Sequence, residues 1–268
     1  MGSEPGRGGA EMRWIGSLIV AFSMYSRIPM PQISWTDGHM RYAMCFFPAI
    51  GLVIGGIYLA LGAAAELLGL PGTARVCLGA LIPLAVTGGI HMDGYLDTAD
   101  ARCSFGDREK KLEILKDPHT GAFAVIRCSM YLLAFGAAFS LIPDGSLGVT
   151  AGIFTLSRAL SAWAVVSFPK AKKDGLVASF SRTAAERTVR GTSVLWGILG
   201  VCLMAAACGP LMAAACTLAA ALAFICYRRM ALAEFGGITG DLAGYFLQRA
   251  ELWQLMAAAA VCAVRPIL

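Results

Sequence analysis

Residues 76–92, VCLGALIPLAVTGGIHM, carry no Asp, Glu, Lys or Arg; residues 93–100, DGYLDTAD, carry three carboxylates and no Lys or Arg. The first run has the composition of a helix entering a bilayer, for which about 20 apolar residues are needed. The second stops it. Asp93, Asp97 and Asp100 stand at i, i+4 and i+7, which on an α-helix confines them to an arc of about 60°. Like charges so close repel unless a cation neutralises them. The pattern points to a divalent-metal site at the edge of a membrane segment, and a hard ion such as Mg²⁺ suits carboxylate oxygens best. The bland reading is a solvated acidic helix end. Against it, a loop otherwise rich in Lys and Arg places neither among these acids. Gly94 inside the cluster lets another element approach the backbone closely. His91, about 200° round the helix from Asp93, points away from the acids, either as a donor positioned behind the metal ligands or as a packing residue.

Composition sets the class. Of 268 residues, 57% are hydrophobic and 15% charged, against about a quarter charged in a soluble domain. The chain reads as an all-α, polytopic membrane bundle forming a single catalytic domain, 1–268. The net charge of +5 then reflects basic loops on one side of a bilayer rather than nucleic-acid binding. The nine cysteines form no CxxC pair and read as small apolar residues rather than a disulfide or zinc framework. No small-residue cleavage site follows Met1–Arg13, which argues against a cleaved signal peptide.

Working outward, apolar runs at 42–65, 76–92, 128–143, 147–168 and 191–227 mark spans. The last is too long for one helix and divides at Gly209-Pro210. A final helix from near Asp241 to Val264 brings the expectation to about seven transmembrane helices. Trp14–Met24, short and followed by Pro29 and Pro31, reads as an interfacial helix. With these spans, the basic residues of segments 1–41, 93–127, 169–190 and 228–251 all fall on one side, and only Arg75 and Arg265 on the other. The positive-inside rule makes the basic side cytoplasmic, predicting a multi-pass plasma (inner) membrane protein with its acidic motif facing the cytoplasm.

Four further features bear on chemistry. Lys116-Asp117-Pro118-His119-Thr120-Gly121 is a turn that can present cations to phosphate oxygens. Arg158 stands alone deep in a span, where a charge needs an anionic partner, a carboxylate or a substrate phosphate. Lys170, Lys172 and Lys173 form a basic loop after Pro169. Gly236-Gly237-Ile238-Thr239-Gly240-Asp241 offers free backbone N–H groups to an oxyanion at a helix start; Asp241 reads as an N-cap or a fourth metal ligand, with Glu251 on roughly the same face. Metal-holding acids together with phosphate-holding bases and glycines describe phosphoryl transfer.

At these residues the chain resembles the cobalamin synthase (adenosylcobinamide-GDP ribazoletransferase) family. The matching segments are Phe46-Phe47-Pro48-x-x-Gly51, Gly88-Gly89-Ile90-His91-Met92-Asp93-Gly94-x-x-Asp97-Thr98-Ala99-Asp100, Glu113-Ile114-Leu115-Lys116-Asp117-x-x-x-Gly121-Ala122-Phe123 and Gly236-Gly237-x-Thr239-Gly240-Asp241. The resemblance implies a Mg²⁺-dependent membrane enzyme that joins α-ribazole, or its 5′-phosphate, to adenosylcobinamide-GDP and releases GMP. Its partners would be the lipid bilayer and other enzymes of the pathway, with an oligomer as one arrangement. In this reading Asp93, Asp97, Asp100 and Asp241 hold Mg²⁺, and Asp97 or Asp100 accepts a proton. Substrate lies against Lys116, Asp117, Arg158, Lys170, Lys172, Lys173, Gly237, Thr239, Gly240 and Glu251. Two positions depart from the family pattern: Ala101-Arg102-Cys103 stands where a Gly-rich turn is expected, and Gln248 where many members carry an acid. A CDP-alcohol phosphotransferase is the nearest rival, but its Asp-Gly-x-x-Ala-Arg pattern is missing. An ion-coupled transporter would show a second copy of the acidic motif, and there is none.

Overall fold

The computed structural model describes residues 7–172 and 176–264. Among them the chain is helical: α1 Arg7–Tyr25, α2 Asp37–Leu68, α3 Gly72–Thr87, α4 Ile90–Cys103, α5 Arg108–Ile114, α6 Ala122–Ser140, α7 Gly148–Ser167, α8 Leu176–Thr183, α9 Glu186–Cys208, α10 Pro210–Met230 and α11 Gly240–Val264. A 3₁₀ turn, Asp144–Ser146, leads into α7, and a π-helical turn, Ala231–Phe235, extends α10. Extended pairing is confined to one isolated bridge between Lys170 and Ile238.

Among the described residues five helices are long and apolar enough to cross a membrane: α2, α6, α7 with its 3₁₀ turn, α9, and α10 with its π turn. The expected span at 76–92 is different. It breaks at Gly88 (φ 64°) and Gly89 (φ 80°), both in the left-handed region that glycine alone adopts cheaply. There α4 turns 96° from α3, so this pair counts as a sixth span only when taken together. The expected final helix is present as α11 with 25 residues, but buried Gln248, Glu251 and Gln254 make it too polar to pass on composition. The break at Gly209-Pro210 falls where expected, and α1 is a helix outside the apolar set.

The core forms around α7, whose residues are enclosed along nearly its whole length. Helices α2 and α9 pack on it through backbone-to-backbone contact. A Cβ at Gly55 would lie 2.3 Å from the Ala151 Cα, one at Gly51 2.4 Å from the Phe154 carbonyl oxygen, and one at Gly152 2.4 Å from the Gly200 carbonyl oxygen. The outer helices show large apolar side chains, such as Leu133, Leu195 and Leu218, which a hydrocarbon phase covers. At the end of the bundle away from α4, Arg75 pairs with Asp144 and donates to the Ile142 carbonyl. Replacing Gly55 by Val should drive α2 from α7 and cost about 1–3 kcal/mol. A detergent unfolding series would measure this, and a Gly55→Val protein as stable as the parent would refute the packing argument.

Candidate active site

Helix α4 begins with Gly89 as its N-terminal flanking residue, so the break at Gly88-Gly89 fixes where the acidic motif starts. Gly94 then meets the first turn of α11. A Cβ there would fall 2.7 Å from the Asp241 carbonyl oxygen and 2.8 Å from its Cα, and one at Gly244 2.9 Å from the His91 carbonyl oxygen. Two glycines thus let α4 and α11 touch along their backbones and carry Asp241 into the acidic cluster. Asp97 registers the crowding. Burial first, then the charges of Asp93, Asp241 and Asp100, push its carboxyl up to about 6.

Asp100, expected to stand with the metal ligands, has its oxygens committed to backbone. Oδ2 accepts from Gly121 N–H at 2.6 Å and Oδ1 from Ala124 N–H at 2.8 Å, which caps the N-terminus of α6. Asp241 does not cap its helix. Thr239 does, its hydroxyl accepting from Leu242 N–H at 3.2 Å and donating to Asp241 Oδ2 at 3.3 Å. Among the described residues no three His, Cys, Asp or Glu groups are gathered closely enough to hold a metal on their own.

The basic loop is brought to the acids by a short zipper. Ile238 N–H donates to Pro169 O at 2.8 Å and Ala171 N–H to Ile238 O at 3.0 Å. At Gly237 a Cβ would strike the backbone of residues 169–171, which is why the Gly-rich segment and the Lys-rich loop share one backbone seam. Lys172 consequently faces Asp241. Burial lowers its pKa, Asp241 opposes that shift, and Lys116 adds to the lowering from the same side. Lys170 turns away to donate to the Phe168 carbonyl. Lys116 and Asp117 are exposed, and Asp117 accepts from the backbone N–H of His119 at 2.9 Å. Lys173 lies outside the described residues.

Between α1, α2, α4, α7 and α11 lies a cavity of about 270 Å³. Asp93, Lys172, Thr239, Gly240 and Asp241 contribute its polar residues, and Tyr25, Phe47, Val165 and Leu247 apolar ones. His91 lines it as well, together with Asp93 and Asp241, so it faces a cavity shared with two of the acids rather than packed core alone.

Arg158 and Glu251 do not reach this cavity. Both are enclosed, 0% and 1% exposed, and Arg158 Nη1 lies 2.7 Å from Glu251 Oε1, which Ser157 Oγ also approaches at 3.3 Å. The anion that the lone arginine needed is thus a carboxylate ten residues along α11 from Asp241, not a substrate phosphate. Sequence reasoning missed Glu234. It sits in the π turn and pairs with Arg102 at 2.9 Å and Lys111 at 2.9 Å, while Arg102 also donates to Tyr245 Oη at 2.8 Å. The unexpected Arg102 therefore locks α4, α5 and the π turn together. π turns concentrate at functional sites, but no sequence spacing announces one.

An acidic helix crossed by a second helix start, with lysines on the facing loop and apolar spans beneath, defines an all-helical polytopic membrane enzyme whose site lies at one end of the bundle. Residues 17–259 match the family described as cobalamin-5-phosphate synthase, and the chain belongs to it; it is a transferase of cobalamin biosynthesis. Among its relatives, an adenosylcobinamide-GDP ribazoletransferase of Lachnoclostridium phytofermentans is 46% identical over 90% of this chain and 92% of its own length. Proteins of the same name from Clostridium perfringens (strain 13) and Pseudomonas paraeruginosa are each 32% identical, over 85% and 91% of this chain and 91% and 97% of theirs. No solved structure matches.

Arg158→Leu should strand Glu251 as an unpaired buried charge and destabilise the protein by about 3–5 kcal/mol, whereas the double change Arg158→Leu with Glu251→Leu should restore most of that loss. Unfolding in detergent reads both. A double variant as unstable as the single one would show that the pair does not act as a unit.

Proposed function

We propose that this chain transfers the adenosylcobinamide phosphate group from adenosylcobinamide-GDP to a free ribose hydroxyl of α-ribazole or α-ribazole 5′-phosphate, with Mg²⁺, at the cytoplasmic face of the plasma membrane. The observation that carries the reading is the meeting of α4 and α11, which crowds Asp93, Asp97 and Asp241 opposite Lys172, beside a cavity. The relatives' shared name supplies the donor and the acceptor class. The basic loops at the same end of the bundle support the cytoplasmic orientation.

The donor set fits Mg²⁺. It is made of carboxylate oxygens, and burial, then the charges of Asp93, Asp241 and Asp100, raise the pKa of Asp97, a tension that a cation relieves. Mg²⁺ is commonly held by one or two carboxylates, waters and substrate phosphates, so a pre-formed cage is not required. Asp93, Asp97 and Asp241 would hold it, Asp100 being occupied with α6. When bound, the ion supplies charge neutralisation at the pyrophosphate.

The protein groups do the rest. Lys172 and Lys116 hold phosphate oxygens, and the positive end of the α11 dipole favours the same anion. The oxygen of a free ribose hydroxyl of the acceptor bonds to the phosphorus on the corrinoid arm. The bond from that phosphorus to the bridging oxygen breaks, and GMP leaves with that oxygen. The hydroxyl proton passes to Asp97, a carboxylate of the acidic cluster acting as general base.

Two outcomes are expected. Because Asp97 must be deprotonated to meet a cation, Mg²⁺ affinity should be level above about pH 7 and fall, by up to about tenfold per pH unit, as pH drops below about 6. Calorimetric titration with Mg²⁺ across pH 5–8 checks this; an Asp97→Asn protein should bind weakly with a flat profile, and a flat profile in the parent would sink the assignment. Purified protein given adenosylcobinamide-GDP, α-ribazole and Mg²⁺ should release GMP, stop on chelation and resume when Mg²⁺ is restored, while CDP-diacylglycerol with an alcohol should yield no CMP. CMP release without GMP release would transfer the chain to lipid head-group chemistry.

A further inference from the structure

The proposed phosphoryl transfer uses the rim of the cavity and assigns nothing to its interior. Inside, the Tyr25 and Phe47 rings lie 4.6 Å apart, and the His91 imidazole is stacked 6.4 Å from Tyr25 and edge-on to Phe47 at 5.9 Å. His91 is 4% exposed, and neither Nδ1 nor Nε2 has a hydrogen-bond partner. A neutral imidazole carries one donor and one acceptor, and buried polar atoms in native proteins are almost always paired. A buried ring with both nitrogens unmade, on the wall of a cavity, marks a place where a ligand completes the hydrogen bonding. At about 270 Å³ the space is at the small end for organic ligands, right for a bicyclic ring with part of a sugar and far too small for a corrin macrocycle.

We propose that this cavity seats the heteroaromatic base of the acceptor nucleoside, an inference that rests on the reaction proposed above. The two substrates bring two candidate bases. Guanine of the donor displays several donors and acceptors along its edge, and the carboxylates of this lining that would best answer them, Asp93 and Asp241, are already assigned to the metal in the proposed reaction. The acceptor's base is a flat, mostly apolar bicycle with one free ring nitrogen. Tyr25 and Phe47 give it an aromatic bed, Val165 and Leu247 an apolar wall, and a His91 N–H donates to the free ring nitrogen. The ribose then extends toward Asp93, Asp241 and Lys172 of the same lining, which brings its attacking hydroxyl to the carboxylates and orients the nucleophile before the donor arrives. His91 is in this scheme a binding residue, chosen for shape and hydrogen bonding.

The test is direct binding of α-ribazole to the full-length protein in nanodiscs without donor, by calorimetry, followed by steady-state kinetics with each substrate varied. His91→Phe keeps the aromatic contacts and removes the ring nitrogens. Ala243→Leu, on the first turns of α11, fills part of the space with a good helix former and guards against a His91 variant that fails to fold, which thermal unfolding would reveal. Each should weaken α-ribazole binding by about tenfold, the scale of one lost hydrogen bond or a blocked contact, and raise KM for α-ribazole while KM for adenosylcobinamide-GDP stays within about twofold. Unchanged α-ribazole affinity in both variants overturns the inference. A KM rise for the donor alone also overturns it, gives the cavity to guanosine and leaves the reaction standing. Parent protein that binds α-ribazole in a His91-dependent way yet releases no GMP supports the cavity assignment and removes the reaction. Parent protein that neither binds α-ribazole nor releases GMP removes both.

Discussion

The site depends on one steric constraint: the backbones of α4 and α11 touch at Gly94 and Gly244, with no room for a Cβ on either side. Everything electrostatic follows from that contact. A side chain at either position would hold the helices apart and separate Asp241 from Asp97, and both the burial and the repulsion that lift Asp97 to about 6 would relax. Repulsion of this kind is a standing cost in the protein alone. In the proposed reaction it would be recovered when a cation and a pyrophosphate arrive together, which would direct binding energy to the charged, reacting state rather than to the resting one.

The surrounding structure holds that contact from three sides. The Gly88-Gly89 break turns α4 across the end of α3 instead of letting it continue through the membrane. Asp100 fastens α4 to the start of α6 through two amides, and Arg102 fastens its last turn to Glu234 and Tyr245. On the α11 side, Thr239 caps the helix and the Pro169–Ala171 seam holds the preceding glycines. An acid at the start of a helix is favoured by the helix dipole, so Asp241 is tolerated where it stands, and the hydroxyl of Thr239 leaves one of its oxygens free for other partners.

Deeper in, Arg158 and Glu251 solve a different problem. A single ion at that depth would be prohibitive, but a contact pair with a further donor from Ser157 is bearable. Joining the enclosed α7 to α11, the pair fixes the rotation of the helix that carries Asp241, and so governs the site without touching it. Its cost is visible in α11 itself, whose buried polar residues keep it out of the set of helices apolar enough to cross a membrane.

The amino-acid sequence by itself determined the class, the approximate spans, the basic side and the residues that matter on α4 and before α11, because apolar run length, Lys and Arg placement and helical offsets are local properties. Family resemblance added the reaction. Tertiary structure alone decided the roles. Asp100 and Asp97 look equivalent at i+7 and i+4, yet only the position of α6 shows that Asp100 is consumed by its amides. Arg158 and Glu251 are 93 residues apart, Arg102 and Glu234 132 apart, and no periodicity links such pairs. His91 was ambiguous on a helical wheel because a wheel gives direction and not what lies there. The cavity it faces is formed by five helices drawn from both ends of the chain, and a space bounded by elements so far apart in sequence exists only once they are packed.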